Sequence, residues 1–376
     1  MSKENRLTGI IRDIIRSKGP ITFAEFMDMA LYWPGLGYYT GQRVPFGPEG
    51  DFYTSGHLSP VFGWMLALQI DEMRAVLGNP EEFCIVEIGP GRGFIAEGVL
   101  EYGLEHLRWP GDIKYIMIER NPVLLSQQRE YLRRFQDYLL WYRSIEETEV
   151  DRAVVIANEV FDALPVHLVQ YKGDRFHEVY VGVEGGEFHE ELGPLSSPEI
   201  IEYINKYNIP HIEGYRTEIS HGSRELLERI FSSFNEVFLI IIDYGWTSHE
   251  YYDEERMEGT LLCYKGHTAT DNPYEAPGEQ DITAHVNFSY LKDIAEEMGV
   301  RNIGFVQQGT FLVSLGIDRI MSEEIEKNPA FMREVHKIKG LILGMGETHK
   351  VLIQYKGDRD IPLLKGLSLR NRLYRL

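Results

Sequence analysis

The run Val86-Glu87-Ile88-Gly89-Pro90-Gly91-Arg92-Gly93 sets one acid and three glycines between a short apolar stretch and an amphipathic one. Glycine is required where the backbone must take positive φ and where a ligand approaches the main chain closely. A helix opening just after such a turn presents unpaired amides to that ligand. The chemistry is that of a nucleotide-type cofactor site, and two ligands compete for it. Gly91-x-Gly93-x-x-Ala96 satisfies a dinucleotide fingerprint. S-adenosylmethionine fits equally well, and two features favour it. Glu87, an acid inside the end of the strand, would welcome an ammonium and a sulfonium but not a pyrophosphate. About 80 residues precede the strand, whereas a dinucleotide site usually opens its domain. Glu119, 26 positions after Gly93, can accept hydrogen bonds from ribose hydroxyls with either ligand. Glu87, Gly89, Gly91, Gly93 and Glu119 are therefore the candidate cofactor-binding residues, with Asn158 beside them.

A second cluster of acids is Asn158-Glu159-Val160-Phe161-Asp162-Ala163-Leu164-Pro165, directly after an apolar run. Carboxylates receive the planar fork of a guanidinium through two parallel hydrogen bonds. Methyl transfer gains mainly from alignment of the attacked and attacking atoms, and a carboxylate balances the charge that moves. Glu159 is the first candidate for such a clamp and Asp162 the second. The alternative is that Asp162 caps a helix and Glu159 is a solvated loop acid. His267, Asp281 and His285 lack the close spacing of a metal set, so no metal is expected. His285 or His267 could instead orient a substrate, and Asp243-Tyr244 could line the same cleft.

These residues need a scaffold. Leu7, Ile10, Ile11, Ile14 and Ile15 form one helical stripe that stops at Gly19-Pro20, and Thr22-x-x-Glu25 reads as a capping box. Tyr32 to Tyr53 is a long loop rich in aromatics, a candidate lid or a cover for the sheet. Ser59-Pro60 opens a helix running to about Leu77. Buried strands are expected at Phe83–Ile88, Lys114–Ile118, Leu139–Tyr142, Ala153–Ala157 and Val237–Ile242, alternating with helices. That alternation means an α/β fold with a doubly wound parallel sheet. Val166 to Val183, folded about Lys172-Gly173-Asp174, reads as an inserted antiparallel segment, followed by a helix near Arg224–Phe234. Tyr251 to Val286 looks polar and irregular. A helix at Tyr290–Met298, a strand near Thr310–Leu315, a helical stretch from Arg319 to Leu343 and a last strand at Lys350–Tyr355 complete the chain. The expected division is 1–80 as an N-terminal helical and lid segment, 81–165 as the cofactor-binding half of the sheet, 166–236 as the inserted antiparallel segment and helix, and 237–376 as the second half of the sheet with loop and helical insertions.

The chain has 376 residues and a formal net charge of −20. An acidic surface repels nucleic acid and anionic lipid and favours basic partners. Cys84 and Cys263 alone make no disulfide framework and suit a reducing compartment. With no signal-type apolar stretch after Met1 and no run long enough to span a bilayer, the expectation is a soluble, cytoplasmic protein without membrane insertion. Lys356 to Leu376 carries six basic and two acidic residues and could dock on the acidic body or on a partner.

Further stretches carry a resemblance: Gly19-Pro20-Ile21-Thr22-Phe23, Gly37-Tyr38-Tyr39, Gly50-Asp51-Phe52-x-Thr54, the glycine turn, Asn158-Glu159-x-x-Asp162-Ala163-Leu164-Pro165, Asp243-Tyr244-Gly245, Gly259-Thr260-Leu261, Gly266-His267, Pro277-Gly278-Glu279-Gln280-Asp281-Ile282-Thr283-Ala284-His285-Val286-Asn287-Phe288 and Gln308-Gly309-Thr310-Phe311. In this order they span almost the whole chain, and the chain resembles the MidA-type methyltransferases. That family includes a mitochondrial assembly factor that methylates an arginine in a respiratory complex I subunit. The resemblance implies a class I methyltransferase-like (Rossmann-like) sheet, S-adenosylmethionine as cofactor, and a protein substrate such as a respiratory complex subunit. The pattern departs after Thr54. Where the family commonly shows Ser-Pro-Glu-Ile-Ser and then Phe-Gly-Glu, this chain has Ser55-Gly56-His57-Leu58-Ser59 and then Phe62-Gly63-Trp64. The departure motivates two other readings, a fold-retaining assembly or adaptor protein without catalysis, and a small-molecule methyltransferase. Oligomeric state is left open.

Overall fold

The computed structural model describes residues 5–41, 59–266 and 268–376. His57, His267 and the 42–53 part of the candidate lid lie outside the described residues. The chain forms two compact units, each woven from three separate segments.

The sheet unit takes in residues 59–160, Leu226–Gly245 and Phe288–Leu376. Its strands are β1 (Cys84–Ile88), β2 (Lys114–Ile118), β3 (Leu139–Tyr142), β4 (Arg152–Asn158), β5 (Glu236–Trp246), β6 (Arg301–Gln307) and β7 (His349–Lys356). They lie in the order β3-β2-β1-β4-β5-β7-β6. The strands from β3 to β5 are parallel, and β7 runs antiparallel to both its neighbours. This is the doubly wound α/β sheet that the alternation of strands and helices predicts. From Ala153 to Asn158 every residue of β4 is buried, as a strand covered on both faces requires. Val154 and Ile156 join Phe238, Ile240 and Ile242 in one core with Phe62, Ile70 and Val99 of the helices.

The helix Val61–Val76 starts one residue later than the sequence suggests, with Pro60 as its cap and the Ser59 hydroxyl accepting the Val61 amide at 3.4 Å. It crosses the helix Phe94–Glu105 backbone to backbone at Gly63 and Gly98. A Cβ on Gly63 would lie 2.8 Å from the Gly98 Cα.

One strand is misplaced by the sequence pattern. Thr310–Leu315 belongs to a helix, Gln308–Leu315, and the strand is the preceding Arg301–Gln307. The β-branched and aromatic side chains of this helix mimic a strand. Tertiary packing overrides that propensity, because Gly309 brings its backbone against the Ile342 carbonyl and Gly316 closes its end in the left-handed region. The helical stretch expected over Arg319–Leu343 is broken into the helix Ile317–Lys327, a 3-10 turn at Pro329–Glu334 and the short helix Val335–Lys339, running into a π-turn at Gly340–Gly344. The basic final segment is anchored in this unit. Arg359 Nε donates to Glu236 Oε1 at 2.6 Å, and Leu364 and Leu367 enter the core.

The second unit takes in residues 5–41, Phe161–Glu225 and Trp246–Asn287. The inserted segment is antiparallel, as its turns imply. His167–Lys172 and Arg175–Glu184 pair across Gly173 and Asp174, both at positive φ, and Glu187–Gly193 continues the meander. The helices Arg6–Lys18 and Phe23–Tyr32 bury Leu7, Ile11, Phe23 and Phe26 with Leu168 and Val181 of that sheet. The Thr22–Glu25 capping box is present in both directions, at 3.2 and 2.8 Å. The stretch read as irregular contains a small sheet of Thr268–Thr270, Leu262–Lys265 and Asp281–Thr283. Only Cys263 and Ile282 of those strands enter the apolar core, too few to make a visible alternation.

Candidate active site

The glycine turn has the geometry its composition requires. Gly89, Gly91 and Gly93 stand at φ of +62°, +53° and +88°, and Gly93 is the left-handed cap of the helix Phe94–Glu105. A Cβ on Gly93 would meet Leu132 Cδ1 at 2.8 Å, so this glycine serves packing as well as bending.

Glu87, at the end of β1, is 2% exposed and accepts the Tyr115 hydroxyl at 2.7 Å. Burial pushes its carboxyl up to about 8, against the lowering effect of that hydrogen bond. It therefore holds a proton at neutral pH, in place of the standing negative charge read from the sequence. An arriving ammonium would have to drive that proton off.

Glu119 ends β2 and is 8% exposed. Its Oε1 accepts the Asn121 amide at 2.7 Å and its Oε2 accepts Gln128 Nε2 at 3.1 Å. Burial raises its pKa while these donors lower it. The Arg120 amide is a third donor to this carboxylate, and with about four acceptor positions it keeps capacity for a ribose hydroxyl. Glycines that leave the turn open to close approach, and a held acid at the neighbouring strand end, fit an adenosyl cofactor with a ribose.

Asn158 and Glu159 stand at the carboxyl end of β4, where Asn158 is in register with Ile242 of β5. Glu159 takes φ +52°, an uncommon conformation for a residue with a Cβ, and its amide is tied to the Ile242 carbonyl at 2.8 Å. Asn158 Nδ2 donates to Glu159 Oε1 at 3.3 Å. His349, the first residue of β7, places Nε2 3.8 Å from the same oxygen. Tyr244 packs edge-on against the His349 ring at 5.5 Å. Burial lowers the His349 pKa to about 4, so the imidazole is neutral. His349 carries no local motif; only the register of β7 on β5 brings it to Glu159. Asp243 is fully buried, and its carboxylate accepts the Tyr244 amide at 2.9 Å.

The chain leaves the sheet unit after Val160, so Asp162, three residues beyond Glu159, belongs to the second unit. It caps no helix: residues 161–164 form a turn. The Asp162 carbonyl accepts the Ala284 amide at 3.0 Å, joining two of the signature stretches. Asp281, 1% exposed, accepts the Tyr39 hydroxyl on both oxygens at 2.8 and 3.0 Å. Tyr32 stacks on Tyr39 and donates to the Ala163 carbonyl at 2.9 Å, so the described start of the aromatic loop is pinned. His285 stacks on Trp246 at 4.2 Å, and the Arg256 guanidinium also lies over the Trp246 ring, at 3.8 Å. Among the described residues no group of three His, Cys, Asp or Glu is placed to hold a metal ion.

Trp64, one of the departures, packs against Tyr102 and Phe331 and donates its indole N–H to Glu101 at 3.3 Å. It is a packing residue of the helix layer.

A parallel sheet with its last strand reversed, a glycine turn after β1 and a held acid after β2 define a class I methyltransferase. A family profile described as "Putative S-adenosyl-L-methionine-dependent methyltransferase" matches residues 65–306, and the chain belongs to that family. Its cofactor is S-adenosylmethionine. It is 30% identical to the mouse protein arginine methyltransferase NDUFAF7, mitochondrial, over 84% of this chain and 76% of that one. It is 28% identical to the Drosophila melanogaster homolog of that protein, over 92% of this chain and 84% of that one. A Burkholderia thailandensis protein crystallised with S-adenosyl-homocysteine superposes with a TM-score of 0.91 at 30% identity, over 98% of this chain and 96% of that one. The expectation of a cytoplasmic protein is corrected by these comparisons. The fly, mouse and human relatives are named mitochondrial, which points away from the cytoplasm. Among the described residues no helix is long and apolar enough to cross a membrane.

Proposed function

We propose that the chain methylates an arginine side chain of a basic protein partner, with a respiratory complex subunit as the partner class that the family resemblance implies. One observation carries the reading: Glu159 is fixed in an unusual backbone conformation at the carboxyl end of β4, with a neutral imidazole behind it. The relatives named above as protein arginine methyltransferases support the choice of substrate.

The bound cofactor supplies an electrophilic methyl group. That methyl group would pass to a guanidinium nitrogen and leave a neutral thioether, with the displaced N–H proton taken up by the Glu159 carboxylate and passed on to solvent. Glu159 accepts guanidinium N–H groups, which aligns the nitrogen and offsets its charge. His349 packs behind Glu159 and limits its rotation. Asp162 and His285 are the next residues to test. Glu87, Gly89, Gly91, Gly93, Glu119 and Asn158 hold the cofactor.

The adaptor reading loses one of its two motives, since Trp64 has a packing role; the other, His57, lies outside the described residues. The test is transfer of labelled methyl from S-adenosylmethionine into a cell extract, with protein and small-molecule fractions counted separately. Acid-stable label on arginine is the expected result, and label in the soluble fraction would move the substrate class. Glu159→Ala is expected to abolish transfer while cofactor affinity, read by calorimetry, stays nearly unchanged. A large loss of affinity would reassign Glu159 to the cofactor.

A further inference from the structure

Gln128, in the helix Pro122–Tyr131, is wholly buried and has every hydrogen-bonding group of its amide engaged. Its Nε2 donates to the Gly91 carbonyl at 2.7 Å and to Glu119 Oε2 at 3.1 Å. Its Oε1 accepts the indole N–H of Trp141 at 3.1 Å. An indole nitrogen can only donate, so Trp141 dictates which end of the amide is oxygen. The amino end must then face the glycine turn and the acid. One side chain thus ties the loop after β1 to the loop after β2. The Asn121 amide holds the other Glu119 oxygen at 2.7 Å, so the carboxylate has no free rotation left.

We propose that Gln128 is a positioning residue for the cofactor's ribose, oriented by Trp141, holding Glu119 in the one arrangement that accepts the ribose 2′-hydroxyl. The proposal rests on Glu119 being the ribose acceptor. A carboxylate held in this way discriminates against a sugar lacking a hydroxyl, because its own acceptor position is then left unpaired in a buried place.

The test compares the affinities of S-adenosylhomocysteine and its 2′-deoxy analogue by calorimetry, in the native protein and in Gln128→Met, Trp141→Phe and Glu119→Gln. The native protein is expected to prefer the hydroxylated ligand by about tenfold or more. Gln128→Met is expected to bring that ratio close to one, by weakening S-adenosylhomocysteine while the deoxy ligand changes little. Equal weakening of both ligands, or no change in either, would overturn the proposal and leave Gln128 a packing residue. Trp141→Phe frees the amide to flip and is expected to lower the ratio part of the way. Should Gln128→Met not fold, an unchanged ratio in Trp141→Phe overturns the proposal on its own. Glu119→Gln separates the two levels: a preserved ratio there removes the ribose reading itself, whatever Gln128 does.

Discussion

A buried carboxyl that keeps its proton leaves a signature in how stability varies with pH, and Glu87 is placed to show it. Its folded pKa, about 8, lies above the ordinary carboxylate value of 4.5. The folded state therefore binds a proton that the unfolded chain releases, and stability falls as pH rises between those values. The contribution is complete below the ordinary carboxylate range and gone above about 8. Glu87→Gln cannot titrate. Urea unfolding at intervals from about pH 5 to about 8 is expected to show a flatter profile for the variant than for the native protein. Parallel profiles would mean that the carboxyl is ionised in the fold. At this scale the sequence is legible wherever chemistry is local. The glycine turn, Glu119 and Glu159 announce themselves by spacing along one segment. Gln128, 37 residues from Gly91, and Tyr39, 242 residues from Asp281, do not. Their roles are set by which strands become neighbours, which spacing along the chain does not encode.

Helix-forming preference and packing disagree where the helices Val61–Val76 and Phe94–Glu105 cross. On an isolated helix, glycine to alanine gains about 1 kcal/mol. At Gly98 an added Cβ would lie 2.7 Å from the Pro60 carbonyl oxygen and 3.0 Å from the Gly63 Cα, both backbone atoms that cannot swing aside. The sign inverts: Gly98→Ala is expected to lower stability by about 1–3 kcal/mol in chemical denaturation. A gain would show that the crossing relaxes. The elements around this pair were legible, because a helix stripe, a capping box and short runs of Val and Ile each repeat at their own period. Elements whose side chains carry a strand's composition but whose backbone packs as a helix were not, and Gln308–Leu315 is the case in point. Likewise the edge strand Arg301–Gln307 opens on the exposed Arg301 and the half-buried Asn302, and its buried run is only Gly304, Phe305 and Val306, with the glycine packed against Leu367, too short to stand out.

The formal charge of −20 acts over the molecule as a whole. It draws a basic acceptor toward the protein from beyond contact distance. Raising ionic strength from about 0.01 to about 0.15 M shortens the screening length from about 30 to about 8 Å. With an arginine-rich acceptor peptide, KM is expected to rise over that range while kcat holds. A KM indifferent to salt would place recognition in short-range contacts alone. Strand order at this scale has a consequence for biosynthesis. The last strand along the chain, β7, lies between β5 and β6 and pairs with Val237 to Tyr244. A nascent polypeptide that has not yet emerged past Lys356 therefore carries an apolar strand with one bare edge, the kind of template on which chains aggregate. Closure of the sheet must wait until His349–Lys356 has been made, and a message cut short before His349 should yield insoluble product rather than a smaller working enzyme.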